Sequence, residues 1–425
     1  MPLDEIKCDL MVIGTGMAGM AAGLFAANRN IDIIQVGQAS GINFASGLLD
    51  LLGVHPIASG CVWDDPWAAI EKLILDNPDH PYARLGTPMI RHAMEEFITF
   101  MEKAGQPYVM NPARNARVIT PVGTVKTTYA VPKSMTHGVE AFTERIPCLL
   151  VGFHGLKGYS VRQIVETLGD RWPTLRAVKI PFPDLRGELY CEQLARSLEI
   201  MTVCDKLATA IKDHLGDAQA VGLPAVLGVN RTSQIMAKLE RALGLPVFEI
   251  PTMIPSATGL RLREAFEQHL PRMGVRAFYQ NRVLGVERTE EGSFRVQVGS
   301  ETPSVMVRAG AVLLASGRFL GKGLRAERTG VHESIFDLPV FQPPRRDDWH
   351  QRDIFHKGGH PINRSGLEID DDFRPVDEKQ CLEYPNLYAA GSILAHQDWV
   401  RQKCGSGLAV ATAYGAIDAY QRLSG

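Results

Sequence analysis

Two groups of residues in this chain have types and spacing suited to chemistry. The first is a glycine run near the start, Gly14-Thr15-Gly16-Met17-Ala18-Gly19. It stands between an apolar strand and a small-residue helix, where the spacing G-x-G-x-x-G suits a bound phosphate. Gly14 permits the tight turn and Gly16 lets a phosphate approach the backbone. Gly19 and Gly23 let the helix lie close to the strand. The helix start then offers unpaired N–H groups and a positive dipole end. The second group is His396 and Arg401, in a late loop that also holds Asp398, Trp399 and Lys403. A histidine can take a proton near neutral pH. An arginine can fix a phosphate or neutralise an anion.

One position departs from the dinucleotide pattern. An Asp or Glu about 20 residues past the first glycine usually holds the adenosine ribose. This chain has Gln35 there. An amide can still hydrogen-bond a hydroxyl, so Gln35 stays a candidate ligand. FMN, which has no adenosine ribose, explains the missing acid at least as well as FAD.

These residues need elements to position them. Cys8 to Ile13 reads as a strand, Met20 to Ala27 as a helix, and Ile31 to Ile34 as a second strand. Ala309 to Gly317 reads as a buried parallel strand, and Leu387 to Ser392 as the last one. Gly405-Ser406-Gly407 opens a final helix running to about Leu423. In an open parallel sheet the strand C-terminal ends share one rim. The Gly14–Gly19 loop, Ser316-Gly317, Gly391-Ser392 and Gly405–Gly407 are therefore expected to meet around one ligand. The final helix start would face a flavin ring and favour its negatively charged reduced form. Residues 37–52 read either as a plain connection or as a loop lining the cofactor through Ser46 and Gly47.

The fold class expected is α/β, a Rossmann-like flavoprotein fold of the FAD/NAD(P)-binding type, interrupted by an inserted α+β cap domain. Residues 1–60 form its first segment, 61–249 the inserted cap or partner-binding domain, and 250–330 its second segment. Residues 331–375, rich in Pro, Asp, Arg and His, read as an exposed excursion. Residues 376–425 supply the last strand and helix. Within 250–330, a helix over 259–270 and a strand over 274–279 precede a three-strand meander, which the 309–317 strand follows as a separate element. Arg261 and Arg263 near that helix start could meet a phosphate or solvate an exposed face. His154, Arg318 and His360 are weaker candidates, and Cys404 is either a redox thiol or a packing residue.

Composition narrows the classes. At 425 residues the chain is long enough for two or three domains, and its net charge of −2 gives no pull toward nucleic acid. Its seven cysteines include no C-x-x-C pair, which predicts no zinc site, iron–sulfur cluster or disulfide framework and suits a reducing compartment. The early core strand is expected to leave no room for a signal peptide. No apolar run reaches the ~18 residues of a membrane helix.

Several stretches taken together resemble one family. They are Phe44-Ala45-Ser46-Gly47-Leu48-Leu49-Asp50-Leu51-Leu52, His80-Pro81-Tyr82 with Leu85-Gly86, and Ile119-Thr120-Pro121-Val122-Gly123-Thr124. Leu314-Ala315-Ser316-Gly317 with Gly323-Leu324-Arg325-Ala326-Glu327-Arg328, and Gly391-Ser392 with Cys404-Gly405-Ser406-Gly407, complete the set. The chain resembles, from first strand to last helix, the B-type subunit of the anaerobic, quinone-linked glycerol-3-phosphate dehydrogenases. The resemblance implies an FMN-bearing subunit, with FAD as the alternative, paired with an FAD-bearing catalytic subunit. An iron–sulfur subunit would carry electrons to membrane quinone, holding the chain peripherally on the inner face of the membrane. It implies a flavin-dependent oxidation of glycerol 3-phosphate to dihydroxyacetone phosphate, with His396 accepting a proton and Arg401 holding the phosphate or a flavin anion. More distantly the fold looks like the fumarate reductase and succinate dehydrogenase flavoproteins. Ser392 replaces their acid after the last-strand glycine, and the motif around Arg401 differs, which disfavours dicarboxylate chemistry. A stand-alone fumarate-reductase-type enzyme on another small anion, and a non-catalytic assembly subunit, remain the other readings.

Overall fold

The computed structural model describes residues 4–38 and 41–424. The expected 37–52 loop thus includes two positions, 39 and 40, outside the described residues. The elements that matter for the site, in chain order, begin with β1 (Glu5–Ile13), α1 (Met17–Asn28), β2 (Ile33–Gly37), α2 (Pro66–Asp76), α3 (Gly86–Lys103) and α4 (Thr136–Glu144). Then come β3 (Cys148–Phe153), α5 (Val161–Leu168), β4 (Leu175–Ile180), α6 (Cys191–Leu198), α7 (Met201–Lys212), β5 (Ala220–Pro224), α8 (Thr232–Leu243), β6 (Val247–Ile250) and α9 (Ala257–His269). Last are β7 (Arg276–Tyr279), β8 (Arg282–Arg288), β9 (Phe294–Gly299), β10 (Pro303–Leu314), β11 (Leu387–Ala389), α10 (Trp399–Gln402) and α11 (Gly405–Ser424). The chain divides into two compact units. One is Met1–Gly41, Asp50–Phe97 and Phe266–Gly425, and the other Ile42–Leu49 and Ile98–Ala265.

The first unit is built on a sheet of order β7-β2-β1-β10-β9-β8, with β11 also pairing β10. Strands β7, β2, β1, β10 and β11 run parallel. Parallel strands are covered on both faces, so they read as continuous apolar runs. β1 obeys this: Leu10, Met11 and Val12 are fully buried. Helix α1 is buried from Ala18 to Ala26 without a break, which suits its small-residue sequence.

β10 differs from expectation. The third meander strand and the returning buried strand are one twelve-residue element. Its first half pairs antiparallel with β9, and its last residues pair parallel with β11. The change from alternating to continuous burial, which reads in sequence as a break near Gly310, marks a change of neighbour. Residues 331–375 are also not uniformly exposed. Trp349, Ile362, Leu367 and Phe373 are buried, and the longest unbroken exposed run is 350–357. Charged residues dominate that segment's composition, so its few apolar anchors are easily overlooked.

The second unit holds a four-stranded sheet of order β6-β5-β3-β4. All its pairings are parallel. Alternate residues of β3 enter opposite cores: Leu149, Val151 and Phe153 on one face, Cys148 and Leu150 on the other. Short antiparallel pairs at 116–119 with 125–128, and at 108–110 with 130–132, lie outside this sheet. The inserted unit is thus α/β in its main sheet and antiparallel in its small hairpins, and it spans 42–49 and 98–265 rather than 61–249, with 61–97 belonging to the first unit.

Candidate functional site

In the first unit the chain turns back between β1 and β10, and the glycine loop follows β1 at that switch point. Gly14 has φ +132°, and a Cβ there would lie 2.1 Å from the Ala315 carbonyl oxygen. Its N–H donates to the Val36 carbonyl at 2.7 Å. Any other residue would force the loops after β1 and β10 apart. Gly391, after β11, has φ +82°, and its Cβ would lie 2.7 Å from that of Ala18. Its N–H donates to Thr412 Oγ1 on α11 at 2.8 Å. A Cβ on Gly317 would stand 3.5 Å from Ser392 Oγ. The Gly14–Gly19, Ser316-Gly317 and Gly391-Ser392 segments therefore share one rim.

This rim suits a phosphate-bearing cofactor on three observations. Gly16 caps α1 without a side-chain hydrogen bond, leaving the first-turn N–H groups of Met17, Ala18 and Gly19 to a ligand or water. The space a Gly16 Cβ would enter is open. Ser316 Oγ is buried at the rim without a partner. A bound flavin would supply two-electron acceptance and one-electron release here.

Other expected ligands are placed differently. Gln35 is fully buried and its Nε2 donates to the Gly14 carbonyl at 2.9 Å. It buttresses the glycine loop from beneath and does not face a ribose. The strand runs on to Gly37, where a Cβ would lie 2.5 Å from Thr15 Oγ1. Thr15 Oγ1 itself donates to the Gln38 carbonyl at 2.8 Å. No carboxylate stands at this strand end among the described residues.

At the start of α11, the Gly407 N–H is taken by the Asp50 carbonyl at 2.7 Å, and Ser406 Oγ accepts from the Asp50 N–H at 2.6 Å. A Cβ on Gly405 would strike the Trp399 ring at 2.7 Å. These three residues anchor neighbouring chain, so the expected row of N–H groups facing a flavin ring is partly spent. Ser46 and Gly47 belong to the second unit. There Ser46 Oγ accepts from the Leu48 N–H at 3.4 Å, and the Gly47 carbonyl accepts from Tyr108 Oη at 2.7 Å.

His396 and Arg401 are not brought together. His396 Nε2 lies 2.9 Å from Glu368 Oε1, and its ring packs on Phe341 at 4.2 Å between centroids. It lines a cavity of about 30 Å³ with Asp79, Arg84, Glu368 and Gln380. Arg401 instead pairs with Asp398 at 3.3 Å, beside Gly359. Arg318 organises the loop between them. Its guanidinium donates to the carbonyls of Asn363, Leu394 at 3.2 Å and Gln397 at 2.8 Å. Burial lowers its pKa to about 10, which still leaves it charged at neutral pH. Cys404 is fully buried and its thiol pKa is pushed well up by burial, so it packs.

Remaining candidates are structural. Arg261 is 4% exposed and clamps Glu249 with two bonds of 2.6 and 2.7 Å, while its Nε donates to the Gly228 carbonyl. It is neither a solvated face nor open to a phosphate. His360 accepts from the Gln351 N–H at 3.0 Å and steadies its turn. His154 continues β3, its N–H donating to the Ile180 carbonyl at 3.0 Å. Among the described residues no cluster of three or more His, Cys, Asp or Glu could hold a metal.

Comparison with known proteins settles the family. The FAD binding domain family matches residues 9–408. A probable B-type subunit of anaerobic glycerol-3-phosphate dehydrogenase from Halobacterium salinarum is 34% identical, over 97% of both chains. The chain belongs to the B-type subunit family of anaerobic glycerol-3-phosphate dehydrogenases. The Vibrio vulnificus member is 28% identical over 97% of this chain and 96% of its own. Among solved structures, 3-ketosteroid Δ1-dehydrogenase from Sterolibacterium denitrificans aligns over 98% of this chain and 100% of its own, at 12% identity and a TM-score of 0.44.

Membership makes the chain a flavoprotein dehydrogenase component with the FAD-binding fold. The matched domain family is named for FAD and lends no support to FMN as the preferred flavin. No helix among the described residues is long and apolar enough to cross a membrane. Sequence reasoning missed Glu368, Thr412 and Asp50. Each meets its partner across a chain separation of 28, 21 or 356 residues, for which no local motif exists.

Proposed function

We propose that this chain is the flavin-carrying electron-transfer subunit of a quinone-linked glycerol-3-phosphate dehydrogenase. Its partners are an FAD-bearing catalytic subunit and an iron–sulfur subunit that passes electrons to membrane quinone and holds the chain at the inner membrane face. The convergence of the three glycine segments on one rim supports this reading, together with kinship to the B-type subunits over nearly the whole chain. Where the substrate is oxidised on this chain, the flavin held at the rim would supply the two-electron acceptor for the hydride of the secondary carbinol carbon of glycerol 3-phosphate. The hydroxyl proton goes to His396, oriented by Glu368, and the product is dihydroxyacetone phosphate. Arg401, tied to Asp398, holds an anion only by exchanging that partner.

The flavin is proposed as FMN on one feature: β2 ends at Gly37, with Thr15 packed where an acid would stand. The test is purification of the assembled complex followed by heat release of its cofactors. FMN in proportion to this chain, and dye reduction by glycerol 3-phosphate, are expected. FAD alone on this chain overturns the FMN assignment. A colourless chain that takes up no flavin overturns the electron-transfer role.

A further inference from the structure

The second unit contains a cavity of about 190 Å³ that the flavin rim does not use. It lies at the carboxyl edge of the parallel sheet, because α8 follows β5 directly and its first residues line the cavity. Open α/β sheets take ligands at this edge, where the strand order turns back.

Three kinds of group meet there. Helix α8 is twelve residues long and begins at Arg231 without a side-chain cap, so the first-turn N–H groups at Thr232 and Ser233 are left by the helix itself. Thr232 is 6% exposed and its Oγ1 has no partner. Lys133, an exposed residue of the lining, has no acidic partner among the described residues. A buried hydroxyl, an uncapped helix start and an ammonium lining the same cavity are donors that suit an anionic oxygen. Met101, Met236 and Leu262 supply an apolar floor. On the far rim, Glu240 accepts from the Val247 N–H at 3.2 Å and lies 3.5 Å from His137 Nε2. His137 also lies 3.0 Å from Glu140. These carboxylates favour an anion whose hydroxyls can donate to them over a bare one. The Arg261–Glu249 pair is closed on itself and on Ser134, so it adds no net charge.

We propose that this cavity binds a small phosphate monoester bearing hydroxyl groups. The phosphate sits at the α8 start between Thr232, Ser233 and Lys133, the carbon chain lies over the methionines, and the hydroxyls reach Glu240. The site belongs to the inserted unit and does not rest on the flavin reading.

The test uses the flavin-loaded protein, so that the phosphate loop is already filled. Calorimetry with inorganic phosphate, glycerol 3-phosphate and glycerol is expected to show saturable binding of both phosphates and none of glycerol, with glycerol 3-phosphate the tighter. Lys133→Met weakens it about tenfold through loss of a charge-assisted bond. Thr232→Val weakens it several-fold without lowering the thermal midpoint, since the hydroxyl has no folded-state partner to lose. Absence of saturable phosphate binding, or binding indifferent to Thr232→Val in a folded variant, overturns the site. Equal affinity for the two phosphates overturns the hydroxylated class.

Discussion

The two main sheets of this molecule solve their parallel strand ends in opposite ways. In the first unit the loops after β1, β10 and β11 are drawn together by glycines, backbone against backbone, with Gly14 under the Ala315 carbonyl and Gly391 against Ala18. In the second, part of the corresponding edge is closed by side chains. Arg261 and Glu249, 4% and 0% exposed at their side chains, spend their bonds on Ser134, Leu227 and Gly228. Glycine crowding leaves backbone N–H groups open to a ligand. A buried ion pair leaves its polar atoms satisfied. The same strand geometry therefore brings glycine loops together in one unit and sets a closed ion pair beside the α8 cavity in the other.

The largest effect should come from breaking the rim. Gly391→Val would place a side chain on Ala18 in a left-handed backbone, and the expected result is an insoluble or flavin-free protein. Gly16→Ala is the sharper partner experiment, because its Cβ enters open space. It should fold with an unchanged thermal midpoint yet lose flavin absorbance. Retained flavin would remove the phosphate from this loop.

Next is the core of the second unit. Arg261→Met strands Glu249 and should cost about 3–5 kcal/mol in denaturant unfolding. Arg261→Met with Glu249→Leu should recover most of it. If the double variant were no better than the single one, the pair would not be the source of the loss.

His396→Gln should reduce glycerol 3-phosphate-dependent dye reduction by about 10²-fold, and Glu368→Gln by less, with flavin content unchanged. Wild-type rates in both would move substrate oxidation to the partner subunit.

An effect confined to acid pH concerns His80, fully buried in the first unit with Nδ1 accepting from the Tyr82 N–H. Burial pushes its pKa down to about 3 from an ordinary 6.5. The folded state then holds a neutral ring while the unfolded chain takes a proton below pH 6.5. Its contribution is complete above that pH and falls by about 1.4 kcal/mol per unit as the pH drops toward 3. His80→Gln should flatten the stability–pH curve over that window relative to wild type. An unchanged slope would mean His80 is protonated in the fold.

Much of the site was legible in the primary structure. The glycine spacing after an apolar run, the late Gly391-Ser392 pair and the rule that parallel strand ends share a rim suffice to bring residues 14–19, 316–317 and 391–392 together. These depend on local backbone chemistry, which sequence carries directly. Gln35 could not be read in this way. Its distance from Gly14 in the chain matched a ribose ligand, yet strand pleating turned it inward beneath the loop. The single β10 strand escaped notice because its burial pattern changes where its neighbours change.

What the sequence by itself determined is the flavoprotein fold, the glycine loop and the family, because these rest on contiguous motifs and strand–turn–helix order. Only the tertiary structure decided that Arg261 is closed on Glu249, that Arg401 is paired with Asp398, and that His396 answers to Glu368 rather than to Arg401. It also decided that the glycines at the start of α11 hold Asp50. Each of these is a choice among several possible partners for one polar group. Burial and close packing make that choice, and neither is written in the order of residues along a chain.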